Sequence, residues 1–256
     1  MERRNFLRHL IATGSFWTVL ERGLTATPAP QASLIRFAGE GRAIEAYRAL
    51  PVGHPRAGVL VVAEESGLSS FVELTVAQLA TAGYAALAPD PYARLGGTAA
   101  VGADPTAASA KINDTQLLRD LDLGYAYLEK LVGPQSKLGI LGFGWGAGKA
   151  LTYASENPDI AAVAVFYGAN LDPLDRVLNL DAPVLGNYAG QEVAAIAKVS
   201  ELEAALKKAG KSYDFKVYPD VKAGFVNPAR TDRYNLTAAQ DAWERTLQFF
   251  KRELNG

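Results

Sequence analysis

The sequence predicts an α/β fold with a mainly parallel sheet, helices on both faces and an antiparallel hairpin at the N-terminal side. Short, wholly apolar runs alternate with longer segments of helical spacing, which is typical of parallel strands buried on both faces. Two early strands alternate apolar and polar residues, as in an antiparallel pair. A Gly-rich turn at residues 142–146 joins an apolar run to a helix. The length of 256 residues suits one large domain.

The chain should begin its fold with a hairpin. Residues 34–37 and 44–50 alternate apolar and polar side chains around Gly39-Glu40-Gly41, a turn-forming segment. The third strand is predicted at residues 58–63, which read Gly-Val-Leu-Val-Val-Ala. Its uninterrupted apolar character predicts burial on both faces of the sheet.

A helix, a strand and a long loop come next. Residues 71–82 have helical spacing and end at Gly83, a good helix C-cap. Residues 84–88 are the next strand. Residues 89–106 are rich in Pro, Gly and Ala, which predicts a loop. Residues 111–132 are predicted to form a long amphipathic helix.

The C-terminal half repeats the alternation of strand and helix. Gly210 closes one of its helices. The predicted elements are strands at residues 138–141, 160–166, 183–188 and 213–218, and helices at residues 147–156, 198–209 and 236–254. Ligands of such sheets bind outside the carboxyl ends of the strands.

The N-terminal residues resemble an export signal. Arg3-Arg4 is followed by x-Phe-Leu, which resembles a twin-arginine (Tat) signal. A short apolar stretch at residues 10–20 and small residues at 25–32 suit such a segment. We therefore predict a signal or linker at residues 1–32, a domain at 33–256, and a periplasmic location. The alternative is an amphipathic helix packed on the domain of a cytoplasmic protein.

Composition excludes several classes of function. The net charge of −1 gives no electrostatic basis for binding nucleic acid or anionic membranes. The chain has no cysteine, which excludes disulfides, thiolate metal sites and a cysteine nucleophile. The two histidines, His9 and His54, both lie in the first quarter of the chain. We expect no metal, no cofactor and no transmembrane span, and the sequence does not predict the oligomeric state.

The turn at residues 142–146 has the layout of a nucleophile elbow. Its sequence, Gly-Phe-Gly-Trp-Gly, follows an apolar strand and precedes a helix, as in the pattern G-x-Nuc-x-G. The central position is normally Ser or Cys, but here it is Gly144. Glycine adopts the strained elbow conformation without steric cost, and leaves volume at the floor of a pocket.

Taken together, the chain resembles the dienelactone hydrolase family of α/β-hydrolases over about residues 40 to 252. The order and spacing of several short segments carry the resemblance. These segments are Val62-Ala-Glu-Glu-Ser-Gly67, Gly83-Tyr-Ala-Ala-Leu-Ala-Pro-Asp90, Pro91-Tyr-Ala-Arg94, Gly142-Phe-Gly-Trp-Gly146, Phe166-Tyr-Gly168, residues 183–192, Tyr218-Pro219, Gly224-Phe225 and Trp243-Glu-Arg-Thr-Leu-Gln-Phe249.

The resemblance implies a Cys or Ser, His and Asp triad that hydrolyses small esters and lactones. Carried over by position, the nucleophile is replaced by Gly144 and the histidine by Ala223, and Glu192 stands at the acid position. No histidine follows residue 54, so no other alignment restores the base. The oxyanion-hole positions, which act through backbone N–H groups, fall on Glu65 and Trp145.

Other pocket residues follow from the same resemblance. Glu64 matches a pocket glutamate, and we expect it either to be an unpaired base of raised pKa or to be hydrogen-bonded to loop amides. We expect Glu65 to be a solvated neighbour. Tyr92 and Arg94 are both expected to bind substrate. Arg94 matches an arginine that binds the substrate carboxylate, with a salt bridge to a nearby acid as the alternative.

Three residues after the last strand complete the predicted site. Phe225 would form an apolar wall together with Phe143, Trp145 and Tyr167, and Asn227 and Arg230 would line the mouth of the pocket.

Three functional hypotheses remain. The first is a protein that has lost triad hydrolysis and binds a small ligand, a carboxylate or a lactone. The second is a hydrolase or isomerase of small esters or lactones, with Glu64 as base or water activator. The third is a scaffold that binds a partner protein.

Overall fold

The computed structural model describes residues 29–255. An eight-stranded sheet forms the centre of this part, with the order β1-β2-β4-β3-β5-β6-β7-β8. The strands are β1 Ser33–Ala38, β2 Ala43–Ala49, β3 Gly58–Val62, β4 Ala85–Pro89, β5 Leu138–Phe143, β6 Ile160–Phe166, β7 Val184–Ala189 and β8 Tyr213–Tyr218.

Helices connect the strands. They are α1 Ser70–Thr81, α2 Pro105–Ser109, α3 Asp114–Val132, α4 Trp145–Glu156, α5 Val193–Lys208 and α6 Leu236–Leu254. Short 3-10 turns lie at Ala93–Leu95, Thr98–Ala100 and Leu174–Asn179.

The sheet is mainly parallel, and the predicted fold class is confirmed. β1 pairs with β2 and β2 with β4 in antiparallel fashion, whereas the pairs from β4 through β8 are parallel. The carboxyl ends of β3, β5, β6, β7 and β8 therefore meet at one edge. The residues predicted to be functional follow these ends.

Alternate side chains of each strand enter two separate cores. On β5, Leu141 and Phe143 pack into a core with α1 and α6, whereas Ile140 packs into a core with α3, α4 and α5. Both clusters consist of aliphatic and aromatic side chains withdrawn from solvent, the main favourable contribution to folding. This two-sided packing holds the strand ends in fixed positions.

Several boundaries differ from the predicted ones. α5 begins at Val193 rather than at residue 198. Its N-cap residue, Glu192, forms no capping side-chain hydrogen bond that would mark this start in the sequence. α2 lies inside the predicted loop, where Asp104 Oδ1 accepts a hydrogen bond from the Ala107 N–H at 2.9 Å. Such a five-residue helix is too short to show a period in the sequence.

The predicted export segment lies almost entirely outside the described residues, so export stays a prediction. Among the helices of residues 29–255, none is long and apolar enough to cross a membrane.

Candidate active site

The turn between β5 and α4 has the geometry of an elbow. Gly144 has φ +53° and ψ −119°, within the left-handed range of φ that a residue with a side chain adopts only at a cost. Its N–H donates to the Phe166 carbonyl at 3.0 Å, and its own carbonyl accepts from the Ala147 N–H at 3.1 Å. The turn is thus fixed by hydrogen bonds on both sides.

Gly144 differs from the other glycines of the elbow because it has room for a side chain. A Cβ at Gly144 would lie 3.5 Å from Glu65 Oε2 and 3.9 Å from Glu64 Cβ, which are ordinary contacts. At Gly146 it would lie 2.2 Å from the Ala63 carbonyl oxygen, and at Gly168 2.1 Å from that of Gly144. Gly146 and Gly168 are therefore required by close packing, whereas Gly144 leaves an unfilled side-chain position.

Glu64 lies at the end of β3 and is paired, contrary to the expectation of an unpaired base. It is 3% exposed. Ser66 Oγ donates to its Oε1 at 3.2 Å, Asn227 Nδ2 donates at 3.4 Å, and Arg230 Nη2 lies 3.3 Å away. These partners are side chains rather than the loop amides of the alternative interpretation.

Burial raises the pKa of Glu64, and the positive charge of Arg230 opposes that rise. Arg230 therefore favours the charged form of this carboxylate, whereas burial disfavours it. The Arg230 side chain itself remains 36% exposed, and its place at the mouth of a pocket stays a prediction. The structure therefore brings Glu64, Asn227 and Arg230 together.

The Glu65 carboxylate lies beside the elbow, and its partial burial is compatible with the expected solvated neighbour. Its Oε2 is the side-chain atom nearest to the empty Cβ position of Gly144. The residue is half-buried, and its carboxylate forms no hydrogen bond or ion pair within residues 29–255. The Tyr92 hydroxyl donates to the Glu65 carbonyl oxygen, which fixes the backbone there. Tyr92 therefore positions Glu65.

The sequence predicted the Tyr167 ring as part of an apolar wall, but it predicted no role for the Tyr167 hydroxyl. It follows β6, with φ +45°, an unusual value for a residue with a side chain. Its hydroxyl is buried and has no hydrogen-bond partner in the described part of the chain. Burial raises the pKa of this hydroxyl, and the negative charge of Glu64 adds to that rise. The Tyr167 hydroxyl is therefore an unsatisfied donor beside the acidic pair.

The two predicted oxyanion-hole donors are available. Trp145 is the first residue of α4, where backbone N–H groups have no partner inside the helix. Neither its N–H nor that of Glu65 donates a hydrogen bond within residues 29–255. A helix N-terminus also attracts negative charge. Both N–H groups are therefore without an acceptor among the described residues, and their role as an oxyanion hole stays a prediction.

The acid and histidine positions are adjacent. The Ala223 N–H donates to Glu192 Oε1 at 3.4 Å, so the carboxylate reaches the loop where a histidine would stand. Ala223 offers no imidazole, and Glu192 contacts only its backbone there. Ala223 thus occupies the expected position of the catalytic histidine, but it has no side chain that can act as a base.

Arg94 forms the salt bridge that was its alternative interpretation. Its Nε and Nη2 bind the two Asp120 carboxylate oxygens at 3.0 and 2.7 Å, and Nη2 lies 3.8 Å from Glu40. This bidentate pair occupies the face of the guanidinium that would bind a carboxylate. Arg230, not Arg94, is the arginine that lies against Glu64.

The predicted apolar wall is only partly formed. The rings of Phe143 and Phe225 lie 6.3 and 5.7 Å from that of Tyr167, all of them buried. Trp145 instead lines a different cavity of about 770 Å³, together with Asp114, Lys149 and Arg176. None of Glu64, Glu65, Gly144 and Tyr167 lines that cavity.

Sequence reasoning missed the direction of the Glu65 carboxylate and the Tyr167 hydroxyl. The signal for both was position, because each lies within three residues of the carboxyl-terminal end of a parallel strand. No group of three or more potential metal ligands occurs among residues 29–255.

The chain is similar to proteins of one family. The model of the dienelactone hydrolase family matches residues 44–254. A "Putative carboxymethylenebutenolidase" of Methylorubrum extorquens is 32% identical, with 98% of this chain and 93% of the relative covered. One of Escherichia coli K12 is also 32% identical, with 83% and 84% covered. A crystal structure titled "Putative Dienelactone Hydrolase" from Klebsiella pneumoniae superposes with a TM-score of 0.80 at 30% identity, covering 88% of this chain and 99% of the other.

Proposed function

Because the chain belongs to the dienelactone hydrolase family, we propose that it binds a small lactone or ester at the elbow and has lost triad-based hydrolysis. The observation that carries the proposal is the contrast at the elbow. Gly144 has room for a side chain and lacks one, while the N–H donors around it remain available. A binding function needs those donors, whereas triad hydrolysis needs the missing groups.

The loss of the triad is a paired one. Ala223 stands beside Glu192 without an imidazole, so a nucleophile restored at residue 144 would have no base. Triad members act as a unit, and removing the nucleophile or the histidine alone costs about as much as removing all three. Once either the nucleophile at residue 144 or the histidine at residue 223 was lost, selection for triad hydrolysis would no longer preserve the other.

The ligand should combine a carbonyl with an anionic group. The carbonyl oxygen would accept hydrogen bonds from the Glu65 and Trp145 N–H groups. Arg230 is exposed enough at the pocket mouth to bind a carboxylate, in place of the predicted Arg94. Carboxymethylenebutenolide, which gives the relatives their name, has this chemistry, being a lactone with a carboxylate.

The Tyr167 hydroxyl would complete ligand binding, which gives a direct test. Replacing Tyr167 by Phe should weaken binding of 5-oxotetrahydrofuran-2-carboxylate about tenfold, the usual effect of losing one hydrogen bond. The free energy of unfolding should not fall, because the hydroxyl has no partner in the described part of the chain. Calorimetric titration and urea unfolding measure the two quantities.

Tyr188→Phe is the matched control. Its hydroxyl is also buried and unpartnered within residues 29–255, but it lies in the core beneath α5. Binding should be unchanged in that variant. Equal affinities in wild type and Tyr167→Phe, or no binding to wild type at all, would refute the proposal.

A further inference from the structure

The geometry points to a second activity of the same site: Glu65 activates a water molecule at the vacated nucleophile position, and the protein slowly hydrolyses small activated esters without a triad. The inference rests on the proposed function, since the ester carbonyl must first bind at the elbow.

The empty position at Gly144 can hold the water. The Cβ of a nucleophile there would lie 3.5 Å from Glu65 Oε2, and its reactive atom would lie one covalent bond further out. A water molecule that occupies this unfilled space, a few tenths of an ångström closer to the carboxylate than the Cβ position, donates a hydrogen bond to Glu65 Oε2. It also takes the place from which the family's nucleophile attacks a carbonyl held by the Trp145 and Glu65 N–H groups.

Glu65 is better suited than Glu64 to be the base. Oε1 of Glu64 is engaged by Ser66, Asn227 and Arg230, and only the Cβ of Glu64 approaches Gly144. The Glu65 carboxylate has no such partners among residues 29–255, so its lone pairs are available to a water proton. We therefore assign the role of general base to Glu65 rather than to Glu64, where the sequence predicted it.

The Tyr167 hydroxyl independently indicates a polar occupant. It is buried, unpartnered in the described residues, and close enough to Glu64, Glu65 and Arg230 to feel their charges. Buried hydroxyl groups almost always have a hydrogen-bond partner in folded proteins. Backbone strain such as its φ of +45° also concentrates at functional sites. A ligand or water oxygen beside Glu65 would satisfy this donor.

The reaction balances without any further reactant. The water oxygen forms a bond to the carbonyl carbon while one water proton passes to Glu65 Oε2. The carbonyl π electrons move to the oxygen held by the two N–H groups. The tetrahedral intermediate then collapses and the bond from the carbon to the leaving oxygen breaks. Glu65 returns its proton to the leaving alkoxide, so that ester and water give acid and alcohol.

The test is hydrolysis of 4-nitrophenyl acetate by the purified full chain. Wild type should exceed the rate without protein, and Glu65→Gln should lower kcat by about 10²-fold with KM unchanged, since a general base contributes 10²–10⁴-fold. Glu244→Gln, which neutralises an exposed carboxylate on α6, should leave the rate unchanged. An equal rate in wild type and Glu65→Gln overturns the inference.

Two further readouts separate the possible failures. Binding of 5-oxotetrahydrofuran-2-carboxylate should persist in Glu65→Gln, so a failure of hydrolysis alone leaves the proposed function intact. A single turnover with excess protein in H₂¹⁸O should place ¹⁸O in the product acid. Product without the label would mean that the Glu65 carboxylate attacks the ester itself, and would overturn the role of water.

Discussion

The double substitution Gly144→Cys with Ala223→His should raise the rate of hydrolysis of small aryl esters to at least about 10²-fold above that of either single variant. The elbow geometry is already in place at Gly144, with ordinary contacts around the missing Cβ. Glu192 Oε1 already reaches the backbone of Ala223, where it could orient an imidazole. The triad therefore lacks the nucleophile and base side chains, whereas the backbone at both positions is already in place.

The single variants are the controls for this result. The Gly144→Cys variant alone would have no base, and Glu65 beside the new thiol would disfavour the thiolate. The Ala223→His variant alone would have no nucleophile to activate. We measure initial rates with 4-nitrophenyl acetate, and follow acylation of the thiol by intact mass. A double variant no faster than Gly144→Cys would show that the rest of the triad framework has been lost.

Gly146→Ala should destabilise the fold by about 3 kcal/mol or more, the upper range for overpacking. The added Cβ would lie 2.2 Å from the Ala63 carbonyl oxygen and 2.6 Å from that of Val62. Both atoms belong to backbone at the end of β3, which cannot move without disturbing the centre of the sheet. The clash thus separates α4 from the strand that carries Glu64.

Gly144→Ala is the matched substitution two residues away. Its Cβ meets nothing closer than 3.5 Å, so only the left-handed φ of +53° opposes it. Such a sparsely populated conformation costs a residue with a side chain about 1–3 kcal/mol. Urea unfolding of both variants measures the difference. Equal destabilisation would mean that backbone conformation, not close packing, decides which residues the elbow accepts.

Much of the fold could be predicted because its signals are local. The uninterrupted apolar run of β3 and the alternation in β1 and β2 indicated buried and half-buried strands, and the sheet has them there. Helix boundaries were less predictable, since they depend on caps and packing. The first turn of α5 contains no acidic residue and no capping side chain that would mark its start at Val193.

The candidate site was predictable in position but not in side-chain direction. The resemblance located Gly144, Ala223 and Glu192 by order along the chain. Whether Arg94 would face the pocket or Asp120 depends on how the loop packs on α3, which the sequence does not encode locally. The same holds for Glu65, whose carboxylate turns towards the elbow while its backbone is held by Tyr92.

The central claim is that the elbow still binds a carbonyl oxygen after losing its nucleophile. The most direct measurement is an ¹⁵N NMR titration of the wild-type protein with γ-butyrolactone, which has a carbonyl and no charge. We expect saturable shifts of the Glu65 and Trp145 backbone amides, since neither N–H group has an acceptor in the described chain. Saturable shifts elsewhere with both of these amides unmoved, or no saturable shift at all, would contradict the account.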